Sequence, residues 1–299
     1  MPNTLAHLGV QGLFTRTVIK EIDLKLVYIG CILPDLPWIF QRLIKVAHPG
    51  VDLFDLRLYA IVQASLFFCL VLSAILAMFF CDFWKTFIVI GINSFLHLLI
   101  DALQTKWANG VHFFAPFNWQ LTNFGFFWPE SLPTYTLTVV GLIVIIINWQ
   151  RTVTIPFRLS KPSRRRLTIL ALLVIGYFLI PIYLIPFSEA ANNHFVKTLR
   201  SVENRPGSYV EFDRGYCFQR PSVQILQAIT DEEFEAENIE LAGPATVSIR
   251  GTFVTKDRVQ VLSYHIHANG FRDGASYIGL LLVLVLCIHT FAKQLRGAS

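Results

Sequence analysis

The chain has 299 residues and a net charge of +5; 54% of the residues are hydrophobic and only 15% are charged. An ordinary soluble domain carries about 25% charged residues, so this composition excludes a typical soluble globular protein, and the high hydrophobicity excludes intrinsic disorder. The composition therefore predicts an α-helical, polytopic membrane protein.

The charges are divided unevenly along the chain. Residues 187–275 hold 12 acidic and 9 basic side chains, whereas the rest of the chain holds 8 acidic and 16 basic side chains. An acidic segment is a poor partner for nucleic acid, so we expect no nucleic-acid binding. The basic excess elsewhere is typical of the cytoplasmic loops of membrane proteins.

Residues 1–57 are predicted to form an N-terminal re-entrant or interfacial segment. The stretch 26–44 is apolar enough to suggest a membrane span, but its middle contains Pro34, Asp35 and Pro37. Because two prolines and an acid interrupt a helix, we expect a pair of short helices buried against protein. A full span at this place would instead move the preceding residues to the cytoplasm.

Five further stretches meet or nearly meet the length of about 20 apolar residues that a transmembrane helix needs. They are 58–80, 86–105, 131–149, 167–187 and 275–292. The first four predict a four-helix membrane core over residues 58–186. The last predicts a fifth transmembrane helix with a cytoplasmic tail over residues 275–299.

The loop 150–166 contains six basic residues and no acidic residue, which predicts that it is cytoplasmic. Alternation of the spans then places the loop 106–130 and the polar segment 187–274 on the outer side. The first of these is rich in aromatic residues, so we expect it to lie at the headgroup level or to line a path for a lipid. We expect a multi-pass protein of the bacterial inner (cytoplasmic) membrane.

The polar segment 187–274 is predicted to be a small external β domain. Its expected strands are 208–213, 222–228, 245–254 and 257–267. Val259, Val261 and Ser263 are expected to share one face of the last strand, and 231–240 is expected to be an acidic helix or loop. A four- or five-stranded barrel of the OB type fits this pattern.

The second predicted span contains two ionisable residues, His97 and Asp101. A spacing of four places them on one face of a helix, where an imidazole and a carboxylate can share a metal ion or a proton. The alternative is a histidine–aspartate hydrogen bond that only fixes helix packing. Ionisable groups inside a membrane usually mark function, which favours the functional interpretation.

Two residues of the N-terminal segment join this pair. His7 follows a helix cap at Asn3 or Thr4, and Asp35 lies between prolines in an apolar context. The order of the motifs along the chain is His7, the stretch from Gly30 to Asp35, the pair His97 and Asp101, Gly110, and Pro116-Phe117. This order resembles the YdjM-like family of membrane-bound metal-dependent hydrolases, over residues 1–149.

The resemblance implies that His7, Asp35, His97 and Asp101 are metal ligands, with Asp35 and Asp101 also catalytic. Mixed imidazole and carboxylate ligands suit a divalent ion, most readily zinc. The ligand order is also similar, more distantly, to that of zinc-dependent phospholipase C. A site at the outer surface of the membrane would then act on a lipid-linked phosphate ester.

The sequence departs from the family pattern in one place. The family has histidines between the aspartate and the later His-x-x-x-Asp pair, whereas residues 55–65 contain none. His48 and His112 are the nearest candidates to replace a lost ligand, although structural or interfacial roles suit both. A lost ligand could reduce a two-metal site to a one-metal site or leave an inactive relic.

Two other functions stay open at this stage. The chain could be a non-catalytic anchor whose external domain binds a protein or an envelope ligand, or an ion-coupled transporter in which His97 and Asp101 relay protons. The lack of an internal repeat argues against the transporter. His265 and His267 share one face of the last predicted strand and could bind a metal ion, although such histidines are usually only exposed.

Overall fold

The structure is a computed structural model that describes residues 3–19, 21–192, 194–221, 223–268 and 270–296. It consists of a helical bundle and a small β-barrel. The helices are α1 (Thr4–Val18), α2 (Leu24–Ile32), α3 (Leu36–Ala47), α4 (Leu53–Gln63), α5 (Leu66–Ala77), α6 (Phe83–Leu103), α7 (Leu132–Thr154), α8 (Arg164–Ala191), α9 (Val196–Arg200) and α10 (Phe271–Arg296).

Among the described residues, five helical segments are long and apolar enough to cross a membrane, which makes the chain a multi-pass membrane protein. They are Leu24–Ala47, Phe83–Leu103, Leu132–Thr154, Arg164–Ala191 and Phe271–Gln294. A sixth crossing would come from α4 and α5 if this bent pair were one span. The number five agrees with the sequence prediction, but one of the five segments is a different one.

The difference lies in the N-terminal segment, where the prolines do not separate two short helices. A 3-10 turn at Leu33–Asp35 joins α2 to α3, so the whole stretch forms one nearly continuous helix. Pro34 and Pro37 each lie in the first two positions of a helical element. Pro34 leaves the carbonyl of Gly30 without its helical N–H partner, but the hydroxyl of Ser94 donates to that carbonyl at 3.0 Å, so the helix continues.

The predicted span 58–80 is instead broken near its start. The axes of α4 and α5 differ by 67° across Ala64 and Ser65. The α4 helix is held beside α8, because Pro181 inside α8 leaves the carbonyl of Tyr177 without its helical N–H partner. Gln63 Nε2 donates to that carbonyl at 3.2 Å, which fixes the end of α4.

The turn between α5 and α6, the start of α2 and the end of α7 lie together at one end of the bundle. The N–H group of Cys81, in the turn between α5 and α6, donates to the carbonyl of Arg158 at 2.9 Å. Lys25 is fully buried at the start of α2, and its Nζ donates to the carbonyls of Thr152 and Ile155 at the end of α7. These partners lie at the end of α7 and in the basic loop that follows it. Because α8 runs from this loop to the barrel, the barrel lies at the opposite end of the bundle.

The barrel contains β1 (Tyr209–Arg220), β2 (Val223–Gln227), β3 (Glu233–Glu237), β4 (Ala245–Phe253) and β5 (Arg258–Ile266). These strands close in the order β1-β2-β3-β5-β4, and only the β3–β5 pair is parallel. Apolar residues of the strands fill the interior, and Phe195, Val196 and Leu199 of the α9 region pack against them.

Two predictions for this domain were wrong. The region 231–240 contains strand β3, because Phe234 and Ala236 alternate with glutamates and point into the barrel, a strand period that the acidic charge concealed. Ser263 does not continue the inner face of Val259 and Val261. The pairing of β4 with β5 shifts by one residue between Val261 and Ser263, and this β-bulge reverses the alternation. Ser222, the predicted start of one strand, lies outside the described residues.

Candidate metal centre

Four ionisable residues from three separate elements meet at the barrel end of the bundle; we call them the inner cluster. It consists of His7 on α1, Asp35 in the 3-10 turn, and His97 and Asp101 on α6. His97 Nε2 lies 3.3 Å from Asp35 Oδ1 and 3.7 Å from Asp101 Oδ2, and His7 Nε2 lies 3.4 Å from Asp101 Oδ1. The structure therefore brings together all four residues that the sequence analysis selected.

The two imidazole rings of the inner cluster stack face to face. Their centroids are 3.9 Å apart and their planes differ by 9°. One ligand atom each from His7, His97 and Asp101 lies within 4.8 Å of the other two. All three residues are buried, and so is Asp35. This group could therefore hold a metal ion.

His7 reaches this position because α1 packs very closely against α7. Asn3 caps α1, as predicted, and its Oδ1 accepts a hydrogen bond from the N–H group of Ala6 at 3.0 Å. A Cβ atom added to Gly9 would lie 1.9 Å from Cα of Gly141. Only glycine permits two helix backbones to approach to this distance, so this crossing fixes the depth of His7 in the bundle.

Asp35 reaches the cluster through a similar contact between α2 and α6. A Cβ atom added to Gly30 would lie 2.5 Å from the carbonyl oxygen of Ile90. The hydroxyl of Ser94 donates to the carbonyl of Gly30 at 3.0 Å. On the α2 side the close contact lies little more than one turn before Asp35, and on α6 it lies about two turns before His97. The two side chains are therefore brought into contact by backbone packing.

The hydrogen-bonding state of the inner cluster shows whether its residues suit a metal ion. Both ring nitrogens of His7 and of His97, together with Asp35 Oδ1 and Asp101 Oδ1, are buried without a hydrogen-bond partner in the described chain. Buried polar atoms are rarely left unpaired, and burying an unpaired charge is costly. Nitrogen and oxygen atoms that face each other without hydrogen bonds are suitable ligands for a divalent cation.

Sequence reasoning missed Lys106, which follows the end of α6. Its Nζ lies 3.2 Å from Asp101 Oδ2, and the side chain is buried. The Asn123 side chain donates to the carbonyl of Lys106 and helps to hold the loop in place. A single lysine in a loop with little charge gives no spacing signal, so only the folded loop reveals that it faces Asp101.

A cavity of about 390 Å³ lies beside the inner cluster, between the bundle and the barrel. Asp101 and Lys106 line its inner side, and Arg214 and His267 line its barrel side. Its basic residues are Arg42, Lys45, Arg57, Lys106, Arg214 and Arg272. Among the described residues, only three carboxylates line it, those of Asp101, Asp213 and Asp273. The surroundings of the cavity are therefore cationic and favour an anionic ligand.

The two histidines considered as replacement ligands lie outside the inner cluster. His48 is exposed at the C-terminal end of α3. His112 is buried and lines the cavity, where its Nδ1 lies 3.0 Å from the carbonyl oxygen of Trp119. In the region that lacks the family histidines, Arg57 points into the same space, with its guanidinium group 4.9 Å from the centre of the Phe195 ring.

A second group of ligands lies at the barrel side of the cavity; we call Glu130, His265 and His267 the outer cluster. Their ligand atoms also lie within 4.8 Å of one another, so this group too could hold a metal ion. Burial alone would raise the pKa of Glu130, but hydrogen bonds from His267 and Arg214 lower that pKa to about 2. Glu130 is therefore a carboxylate at neutral pH.

The aromatic loop before α7 is divided between two environments. Four phenylalanines are exposed: Phe114, Phe117, Phe124 and Phe126. Trp107 and Trp128, in contrast, stack on each other edge to face, and Trp128 also stacks on His265 of the barrel. The buried part attaches the barrel to the bundle, whereas the headgroup position of the exposed part stays a prediction.

In comparisons with known proteins, no family model matches the chain, and no curated protein and no solved structure matches it at a significant level.

Proposed function

We propose that the chain is a membrane-embedded, metal-dependent hydrolase of the YdjM-like kind that acts on a lipid-linked phosphate ester at the outer face of the bacterial inner membrane. One observation carries this proposal. Four ionisable residues, separated by up to 94 positions, converge with unpaired ligand atoms in an apolar bundle. Residues chosen only for helix packing would pair their polar atoms.

The proposed ion ligands are His7, Asp35, His97 and Asp101, and zinc suits this mixture of nitrogen and oxygen donors. When bound, a divalent cation supplies positive charge that polarises a phosphoryl oxygen and lowers the pKa of water towards neutrality. In this scheme Asp35 Oδ1 would accept the proton of the attacking water, since it is buried and makes no well-aligned hydrogen bond among the described residues, with His97 Nε2 3.3 Å away.

Lys106 has a separate part in the proposed reaction. Its ammonium group lies between Asp101 and the cavity, where it can neutralise a non-bridging phosphate oxygen. The other cations of the cavity would bind the rest of an anionic headgroup. The exposed phenylalanines of the neighbouring loop support a lipid substrate, because exposed aromatic side chains suit the headgroup level of a membrane.

We also propose that the barrel is of the OB type. The support is its closed five-stranded sheet, in which β5 lies between β3 and β4. In the proposed enzyme the barrel covers the cavity from the outer side and limits which headgroups can enter. A protein or an envelope ligand of the barrel remains the basis of the alternative function.

The test of this function is metal content followed by activity. Detergent-purified wild-type protein and the variants H97A and D101A are supplied with zinc or manganese, and bound metal is measured by mass spectrometry. H48A is the matched control, because His48 is exposed and outside both clusters. We expect H97A and D101A, but not H48A, to lose the ion of the inner cluster. The same two variants should lose phosphate release from a short-chain lipid phosphate.

The alternative is a non-catalytic anchor, and the absence of family histidines in residues 55–65 favours it. In that case wild type and H97A would contain the same amount of metal, and phosphate release would be absent from both. That result would reject the hydrolase and direct attention to ligands of the barrel.

A further inference from the structure

We infer that the outer cluster of Glu130, His265 and His267 is a second divalent-cation site, which takes zinc and fastens the barrel to the bundle. The residues come from two parts of the chain. Glu130 precedes α7, whereas His265 is on β5 and His267 directly follows it. This inference goes beyond the proposed hydrolase and does not depend on it.

The ligand atoms of the outer cluster face one common point. His267 Nδ1 lies 3.0 Å from Glu130 Oε2, and His265 Nε2 lies 3.8 Å from the same oxygen. His265 Nε2 is buried and has no hydrogen-bond partner among the described residues. Two imidazole nitrogens and one carboxylate oxygen are a donor set that zinc uses in sites that keep a fourth position open.

The remaining atoms of these ligands already have partners of the kind that support metal sites. The other ring nitrogen of His267, Nε2, lies 2.8 Å from Ser248 Oγ. Arg214 Nη1 lies 2.7 Å from Glu130 Oε1, while Oε2 pairs with His267 Nδ1, and an ion would take the place of the proton between these two atoms. Such partners fix the orientation of Glu130 and His267 and the tautomer of His267.

Aromatic stacking fixes the third ligand. The indole ring of Trp128 lies parallel to the His265 ring, with 3.8 Å between centroids and 4° between planes. This contact leaves Nε2 at the edge of the ring open towards Glu130. All three ligands are therefore held before an ion arrives, which reduces the entropy that binding costs.

The β-bulge in β5 is what presents His265 to this point. Val261 points into the barrel, and a regular strand would direct His265 inward as well. The extra residue reverses the alternation, so that His265 pairs with Ser248, which faces outward between the buried Val247 and Ile249. Bulges often occur where a strand re-aims a side chain at a functional site.

An ion at this point would affect the cavity. Arg214 and His267 both line the cavity. His267 belongs to the outer cluster, and Arg214 contacts its member Glu130. The ion would hold these two residues, and hence the barrel side of the cavity, at a fixed distance from Asp101. The outer site is thus structural, and its ligands are not needed for chemistry.

The experiment removes the inner cluster first and then counts ions. Zinc is titrated into the full-length H97A variant, and bound zinc per chain is measured after gel filtration. We expect one zinc ion per chain in H97A and in the control H97A/H48A. We expect no bound zinc in H97A/H265A or H97A/E130Q. E130Q keeps the size of the side chain, so it serves where H265A disturbs the stacking on Trp128.

A second readout uses cobalt(II) in place of zinc. A site with nitrogen and oxygen ligands gives visible absorption bands, which we expect in H97A and not in H97A/E130Q. No bound metal in H97A, or an equivalent that persists in both double variants, would overturn the inference. These outcomes also distinguish this inference from the proposed function. If wild type binds one ion and H97A binds none, only the inner site exists. If wild type and H97A each bind one ion, only the outer site exists.

Discussion

The inner and outer clusters contain similar ligands but differ in how their polar atoms are satisfied. In the inner cluster both nitrogens of His7 and His97 lack hydrogen bonds within the described chain, and so does one oxygen each of Asp35 and Asp101. In the outer cluster, His265 Nε2 is the only buried side-chain atom without a partner among the described residues. Arg214 and Ser248 pair Glu130 Oε1 and His267 Nε2, and Glu130 Oε2 pairs with His267 Nδ1. The bundle supplies few polar partners, whereas the barrel surface supplies several.

This difference has a thermodynamic meaning. An unsatisfied buried polar group costs about 1–3 kcal/mol, so the inner cluster weakens the protein unless an ion occupies it. The outer cluster has fewer unpaired atoms, so an ion should add less stability there. We therefore expect metal binding to be linked strongly to folding at the inner cluster and weakly at the outer cluster.

The largest effect is expected from the G9L substitution, which breaks the support of the inner cluster. The new side chain would meet the backbone of Gly141, which cannot move aside, so α1 would leave α7 and remove His7. We expect loss of inner-site metal and a clear fall in thermal stability. G176L is the control, because the nearest atom to a Cβ there belongs to the flexible side chain of Ile180. Equal behaviour of the two variants would contradict the role of the crossing.

Metal removal should separate the two clusters directly. At an ion concentration 100 times the dissociation constant, binding stabilises a protein by about 2.7 kcal/mol. We expect a chelator to lower the unfolding temperature of wild type and of H265A by similar amounts, and that of H97A much less. Scanning fluorimetry in detergent measures these shifts. A shift in H97A as large as that in wild type would place the stabilising ion elsewhere.

A smaller effect is expected from K106Q at the border between the inner cluster and the cavity. The substitution removes a cation beside Asp101 but no ligand, so metal content should be unchanged. We expect KM for a lipid phosphate to rise about 10-fold, which corresponds to about 1.4 kcal/mol of lost binding. K85Q, exposed at the other end of the bundle, is the control. An unchanged KM would exclude Lys106 from substrate binding.

The smallest effect is expected at the start of α1. Replacing the cap in N3A removes the hydrogen bond to the N–H group of Ala6 and the bond to Thr138 Oγ1. Loss of a helix cap costs about 1 kcal/mol, so the unfolding temperature should fall slightly while metal content persists. N3S keeps the capping oxygen and should recover part of the stability. Complete loss of metal in N3A would mean that the cap positions His7 directly.

Local patterns were sufficient for several features of the molecule. The lengths of the apolar stretches predicted the four later spans, and the alternation of apolar and polar residues predicted β4 and β5. The spacing of four residues predicted that His97 and Asp101 share one helix face. The resemblance added His7 and Asp35, and their contact with His97 is long-range geometry that spacing alone does not contain. Whether these residues bind metal stays a prediction.

Other features depended on contacts between distant segments. At the bend between α4 and α5, Gln63 bonds to a carbonyl of α8 more than 100 residues later, a contact that periodicity within 58–80 could not reveal. The β-bulge in β5 follows from pairing with β4. The cationic cavity combines residues from the bundle and the barrel, none of which is unusual in its own segment.

The position of α1 also bears on biogenesis. This helix contacts α2, α6, α7 and α10, and Gly279 of α10 lies against Thr4. His7 is synthesised before its partners on α6, which follow about 90 residues later. Helix α10, which also packs against α1, is synthesised later still. The surroundings of His7 are therefore complete only after α6 and α10 have been inserted and packed against α1. We expect metal loading to follow the insertion of these helices.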